Sequence, residues 1–206
     1  MPKCTITATL MCAGNRRSEM TKIKSVKGLN WGPAAIGNAT WTGVRLRDVL
    51  IRAGINEDDD TYKHVQFEGI DLDVTGKSYG ASIQFWRAID KRADVILAYE
   101  MNGVALPKDH GFPLRVVVPG VVGARNVKWL EKISVSKDES DSHWQQNDYK
   151  GFAPCVDYDT VDFSKAPAIQ ELPVISAICK PIDGDTVTVD DGHIFVTLGR
   201  EVVKRL

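Results

Sequence analysis

The chain has 206 residues, enough for one full hydrophobic core and part of a second domain, and its 43% apolar and 26% charged content is that of an ordinary globular protein. Lys and Arg number 26 against 27 Asp and Glu, a net charge of -1, so no whole-chain field draws nucleic acid and any anion site must be local. There is no run of about 18 apolar residues to span a membrane, and the first residues lack the charged-then-apolar pattern of a targeting signal.

Cys4 to Leu10 alternates Ile6, Ala8 and Leu10 with threonines, the period of a half-buried strand. A core strand so close to Met1 reads as a fold entered part-way. From Thr42 to Gly54 the spacing of Leu46, Val49, Leu50 and Ala53 predicts a helix closed by Gly54, followed by an acidic loop, Glu57 to Asp60. Lys63 to Glu68 reads as a strand and Ser82 to Ile89 as a short helix. Val95 to Met101, Asn102-Gly103 and Val104 to Leu106 form a hairpin signal, because Asn-Gly suits a tight turn with positive φ. Two more strands, Leu114 to Val118 and Trp129 to Val135, flank the turn Pro119 to Gly123. Between Asp138 and Pro167 periodicity stops while aromatics gather, a long loop of the kind that carries function. Leu172 to Ile178, Thr186 to Val189 and His193 to Leu198 then read as short strands, the last two joined by Asp190-Asp191-Gly192, as at the start of a β-sandwich. The expected architecture is α+β and rich in strands, with one domain over residues 1–165 and the beginning of a second over 166–206.

Four cysteines, Cys4, Cys12, Cys155 and Cys179, have no CxxC spacing and read as reduced thiols. Cys12 is either a small buried hydrophobe or a thiolate favoured by Arg16 and Arg17, with Gly14 freeing backbone amides to point at the same spot. A soft thiolate suits a transition metal, whose other ligands would come from a cofactor, since no second His or Cys stands at a familiar spacing. The run Arg16, Arg17, Lys22, Lys24, Lys27 is a solvated helix face or part of that anion site. His110 satisfies backbone or meets a ligand, and Arg115, opening an apolar run, needs an anionic partner if buried. Arg125-Asn126-Val127-Lys128 follows a glycine turn suited to a phosphate cradle. Asp71 is a turn residue or a ligand contact, and Tyr149 either packs or donates hydrogen bonds and protons. Together these residues outline a site for an anionic, phosphate-bearing ligand beside a thiolate.

The stretches CAGNRRSEM, WTGVRLRDVL, YGASI, LAYEMNG, DHGFPLRVVVPGVVGARNVKWL, SHWQQNDYKGF and PAIQELPV, in this order, resemble the molybdenum-pterin domain of the sulfite oxidase family, animal type, over about residues 2–185. The resemblance implies oxidation of sulfite to sulfate at a molybdenum held by a pterin dithiolene, oxo groups and one cysteine thiolate. It places Cys12 at the metal, Arg17 and Trp31 in the sulfite pocket and Tyr149 as the active-site tyrosine. Asp71, His110, Arg115, Asn126, Val127 and Lys128 fall on positions that hold the pterin. The related nitrate reductase domain shares CAGNRR and HGFP but has a different segment at Asp148 to Phe152, so Tyr149 favours sulfite. By the same resemblance the second domain is an immunoglobulin-like dimerisation sandwich, the electron acceptor is cytochrome c or another protein, and the compartment is the mitochondrial intermembrane space. The haem domain of the family, an upstream Arg-Asn-His segment and most of the sandwich fall outside this sequence, which therefore reads as incomplete at both ends. Two readings follow: a catalytic molybdenum domain, or a non-catalytic remnant of one.

Overall fold

A computed structural model describes residues 1–73, 76–172 and 175–201, with backbone alone for residues 175, 177, 179 and 198–201. The threonine alternation at the start becomes β1 (Cys4–Met11), which pairs antiparallel with β2 (Ile36–Arg45) from Cys4 opposite Gly43 to Met11 opposite Ile36. Its polar face is a ladder: the Thr5 and Thr42 hydroxyls lie 2.9 Å apart and Thr9 donates to Asn38 at 3.1 Å. The other face buries Ala8, so a slip of one residue would exchange the two and the pattern fixes the register. β2 also pairs with β5 (Ile96–Met101), and β5 with β6 (Val104–Ala105) and β7 (Arg115–Val117). A second antiparallel sheet has β3 (His64–Leu72) between β4 (Ser78–Gln84) and β8 (Leu130–Ser136).

The main core lies between the sheets. Val65 and Phe67 of β3, Ala81 and Ile83 of β4, and Leu97 and Val116 of the first sheet meet Leu46 and Leu50 of α2 (Leu46–Arg52) and Phe85 and Ala88 of α3 (Phe85–Ile89). The opposite face of β5 and β7 packs Ile96, Ala98 and Val117 with Trp41 and Ala39 in a second cluster. Burial on both faces explains why the strand near residue 96 reads as a continuous apolar run rather than an alternation.

The predicted helix from Thr42 is shorter than expected, because residues 42–45 pair with β5 as strand and the helix begins only at Leu46. β-branched Thr42 and Val44 suit the ladder, and Gly43 sits at a bulge where a Cβ would lie 1.9 Å from the Leu97 carbonyl oxygen. Gly54, with φ +91°, follows the helix as expected. Likewise Ser82 and Ile83 pair with Gln66 and Val65, so the helix expected from Ser82 starts at Phe85. The Asn102-Gly103 hairpin forms as predicted, with φ +52° and +83°.

The long segment after Asp138 contains α4 (His143–Gln146) and a 3-10 turn at Phe163–Lys165; α1 (Arg17–Thr21) is the remaining α-helix among the described residues. Single bridges, Lys150 with Ala168 and Val121 with Glu171, tie that segment to the body. Of the strands expected beyond it, β9 begins at Ile175 and ends at Lys180, residues 173 and 174 lying outside the described residues. It pairs antiparallel with β10 (Thr197–Glu201). Thr186 to Val189 forms no strand, and of His193 to Leu198 only the last two residues do; a bridge between Asp190 and His193 closes the Asp191-Gly192 turn instead. Residues 202–206 of the expected second domain lie outside the described residues. Among the described residues no helix is long and apolar enough to cross a membrane.

Candidate active site

β1 delivers Cys12 to the start of a loop that the chain holds on both sides. Cys12 N donates to Ala35 O at 2.9 Å, Arg16 N to Gly32 O at 3.0 Å and Ser18 N to Trp31 O at 3.0 Å. Buried Asn15 locks the loop by accepting Ala35 N at 3.0 Å through its side-chain oxygen. The half-buried Cys12 sulfur receives the Gly14 amide at 3.4 Å, an N–H aimed where a ligating thiolate accepts one.

The two arginines that follow diverge. Arg16, in the left-handed region at φ +64°, pairs with Glu19 and donates to Ser176 O at 2.8 Å. Arg17 lies against two glycines: a Cβ on Gly14 would stand 2.2 Å from its Nη2, and one on Gly28 2.8 Å from its Cζ. Its Nη1 donates to the Leu29 carbonyl. The Trp31 indole, 42% exposed, sits on the strand of loop paired with Ser18. The remaining basic residues are not a solvated helix face, since α1 ends at Thr21. Lys24 donates to Pro154 O at 2.7 Å and Lys27 lies 4.2 Å above the Tyr158 ring, so the loop carrying Trp31 is fastened to the segment after Tyr149.

Tyr149 belongs to the same neighbourhood. Burial pushes its phenol up, Asp148 and the Cys12 sulfur push it further, and the Arg125 and Arg17 charges pull it back. Cys12 and Arg17 therefore both lie within electrostatic reach of the Tyr149 hydroxyl.

A cavity of about 170 Å³ adjoins this group, lined by Asp71, Tyr79, Arg115, Gly123, Asn126, Lys128 and Trp129. Gly123 joins the two, because a Cβ there would stand 2.9 Å from Met11 O and 3.8 Å from Cys12 N. Arg115 is buried, and within the protein it donates to His110 O at 3.0 Å, Asn126 O at 3.2 Å and Val116 O at 3.4 Å and lies 4.9 Å over the Trp41 ring. Burial pushes Arg115 down to about 10. Burial, and then Arg115, also lower Lys128, whose Nζ donates to Asp109 O at 2.8 Å. Asp71 Oδ1 is buried in the same place without a hydrogen-bond partner, an orphan acceptor of the kind a ligand donor satisfies.

Other predicted residues serve the cavity differently from the way their side-chain chemistry implied. The Asn126 amide is spent internally, accepting Val118 N at 2.6 Å and donating to Val122 O at 3.0 Å, so it shapes the turn. Val127 is core, and its carbonyl receives Val116 N at 2.9 Å. His110 is exposed and contributes its carbonyl to Arg115. Tyr79 escaped the sequence reading, and Arg125, read there as part of a phosphate cradle, is spent inside the protein. Tyr79, its phenol pushed up by burial, lines the cavity while donating to Ala124 O at 2.7 Å. Arg125 is fully buried behind Tyr149. Neither role carries a local signal, because Tyr79 sits in an ordinary strand and Arg125 in what reads as an exposed turn.

A larger hollow of about 500 Å³ opens elsewhere, lined by Arg47, Glu57, Trp86 and Asp90 among others. Two of its cations are already paired, Arg47 with Glu57 and Arg92 with Asp90. Cys4, Cys12 and Cys155 are free thiols, while the Cys179 side chain lies outside the described residues. Among the described residues no group of three or more His, Cys, Asp or Glu is placed to hold a metal ion.

A sheet-rich fold with a cysteine loop set against a cationic cavity is that of a molybdopterin oxidoreductase, and residues 1–144 match the family described as oxidoreductase molybdopterin binding domain. The chain belongs to that family. It is 63% identical to the mitochondrial sulfite oxidase of Drosophila melanogaster, covering 95% of this chain and 34% of that protein. It is 59% identical to the sulfite oxidase of Gallus gallus, covering 98% of this chain and 45% of that one. The chain thus spans less than half the length of either relative. Among solved structures, the sulfane dehydrogenase SoxCD of Paracoccus pantotrophus superposes with a TM-score of 0.68 at 28% identity, over 88% of this chain and 42% of that one.

Proposed function

We propose that this chain is the molybdenum-pterin domain of a sulfite oxidase and oxidises sulfite to sulfate. The observation that carries the reading is the convergence at Tyr149: its phenol lies in the fields of Cys12 and Arg17, and Gly123 connects the Cys12 backbone to the cationic cavity. The strong similarity to proteins named sulfite oxidase agrees with it.

The residues present fit a phosphate-bearing pterin. Arg115 and Lys128 supply positive charge in a partly dry cavity, and the orphan Asp71 oxygen is free to accept an N–H from a pterin edge. His110, Asn126 and Val127 hold the cavity wall through backbone and turn contacts. The cavity is smaller than the roughly 300–1,000 Å³ that enclose a whole drug-sized ligand, so Asp71, Arg115 and Lys128 would hold one part of the group. Cys12 is the metal ligand. When bound, the group would supply the oxygen-atom transfer and two-electron acceptor chemistry that turn sulfite into sulfate.

Arg17 neutralises the doubly charged substrate and product and orients them, while Trp31 forms part of the pocket rim. The raised Tyr149 phenol stays protonated at neutral pH, so it donates a hydrogen bond toward the reacting oxygen and holds a proton there. Residues 1–165 form the catalytic domain, and residues from 166 begin an immunoglobulin-like sandwich through which two copies pair. Cytochrome c or another protein accepts the electrons, and the setting is mitochondrial, in the intermembrane space.

Production of the chain with a supply of molybdenum-pterin cofactor tests the reading. Bound molybdenum and sulfite-dependent reduction of ferricyanide are expected; a chain that retains metal but leaves sulfite untouched would overturn it.

A further inference from the structure

We propose that Arg125 is a positioning residue that sets the place of the Tyr149 phenol relative to Cys12, acting through the main chain; this rests on the reading of Tyr149 as a group of the sulfite site. Arg125 closes the 3-10 turn Gly123–Arg125, and its side chain, wholly out of solvent, reaches three separated carbonyl oxygens. Nε donates to Ile169 at 3.0 Å, Nη1 to Trp144 at 2.9 Å and Nη2 to Tyr149 at 3.1 Å. None of these partners is anionic. Glu139 and Asp148 act on the guanidinium only through the field, and burial outweighs them. A buried cation held only by neutral dipoles costs stability that packed apolar side chains would not. The planar fork is what the position uses, because a guanidinium can serve three fixed acceptors at once and an ammonium on a flexible stem cannot hold that geometry.

What the fork holds is strained. Tyr149 has φ +44°, in the left-handed region that a bulky residue rarely occupies, and such a conformation persists only where its surroundings over-determine it. Here Tyr149 N donates to its neighbour Asp148 at 2.7 Å, and its carbonyl takes both Arg125 and Ile169 N at 2.9 Å. The other end of the same short turn faces the cysteine loop so closely that a Cβ on Gly123 would stand 2.9 Å from Met11 O and 3.8 Å from Cys12 N. A three-residue turn thus adjoins the end of the strand that leads to Cys12 on one side and clamps the Tyr149 backbone on the other. The Trp144 ring, whose own carbonyl is clamped, lies 6.3 Å from the Tyr149 ring and completes the support.

The test compares the cofactor-loaded full chain with Arg125→Lys, Tyr149→Phe and the double variant. The first readout needs no turnover. The Tyr149 phenol is titrated by ultraviolet difference absorbance against Tyr149→Phe, and in Arg125→Lys its midpoint is expected to fall back toward the ordinary value of about 10 as the ring leaves its buried place. The second is sulfite turnover: Arg125→Lys should lose about ten- to a hundredfold in kcat, with molybdenum per chain unchanged and no further loss when residue 149 is already Phe. Losses that multiply in the double variant, or a lowered melting temperature with the phenol midpoint unmoved, would overturn the proposal. If Arg125→Lys and Arg125→Met both fail to give folded chain, Arg125 belongs to the core and the proposal likewise falls. A wild-type chain that oxidises no sulfite would refute the functional reading alone, since the phenol titration still decides the role of Arg125.

Discussion

At Arg17 a single guanidinium depends on what its neighbours lack. Gly14 and Gly28 leave the space it fills, and a Cβ at Gly14 would stand 2.2 Å from Nη2. Gly14→Ala is therefore expected to push the guanidinium aside and lower kcat/KM for sulfite about tenfold, a shift of about 1.4 kcal/mol. Stability should change little, because the displaced atoms are the end of a flexible side chain. Arg17→Gln removes the charge itself and should cost about 10²–10³ in kcat/KM with metal content intact. Steady-state kinetics beside metal analysis would check both variants. The role of Cys12 was open in the sequence alone, where a buried hydrophobe and a ligand read alike. Around the sulfur the structure sets an amide at 3.4 Å and a loop bonded at Ala35, Gly32 and Trp31, surroundings that agree with the proposed ligand role.

At the scale of elements, the segment bearing Tyr149 docks on the second sheet through a buried polar network. Ser82 Oγ accepts Ser140 N at 2.9 Å, Gln145 accepts Ser82 N at 3.2 Å, and Gln145 donates to Glu139 at 2.9 Å. Ser82→Ala would orphan a buried amide, costing about 1–3 kcal/mol, read as about 2–4 °C in Tm per kcal/mol for a chain of this size. His64 borders the network, its ring nitrogen 3.5 Å from Ser82 Oγ, and burial holds it below 6.5 against the pull of Glu139 and Asp138. Between that depressed value and 6.5 the unfolded chain binds more protons, so stability held at neutral pH should be lost as pH falls below about 6.5. His64→Gln should flatten the dependence of Tm on pH in that window. Strand β1 and the Asn102-Gly103 hairpin were legible because each is specified locally, by alternation and by turn chemistry. The helix expected from Thr42 was misread because Leu46, Val49 and Leu50 carry a true helical period, and nothing local says that Thr42 to Arg45 will be claimed by β5. Gly43→Ala, with Leu97 O only 1.9 Å from the new Cβ, should cost about 3 kcal/mol and would show in denaturant melts.

For the whole molecule, the site is assembled from distant stretches that one short turn brings together. Asp71, Arg115 and Lys128 line the cavity, Cys12 and Arg17 come from near the start, and Tyr149 comes from a segment without periodicity. Sequence reading could name these residues through the resemblance, but not the means of their assembly, because Arg125 and Gly123 act only through contacts made after folding. Toward the other end, Ile182, Val189, Ile194 and Phe195 are exposed, Phe195 by 80%. Large apolar side chains left exposed are candidates for burial in an association, and the proposed pairing of two copies gives them a partner. Sedimentation velocity should show concentration-dependent self-association, whereas a lone species at 22.7 kDa at all concentrations would argue against pairing by this chain. The central claim, that Cys12 binds the metal at a site the cationic cavity completes, is most directly tested by molybdenum X-ray absorption on the cofactor-loaded chain and on Cys12→Ser. The account predicts one fewer sulfur neighbour at the metal in the variant; identical sulfur shells in the two would contradict it.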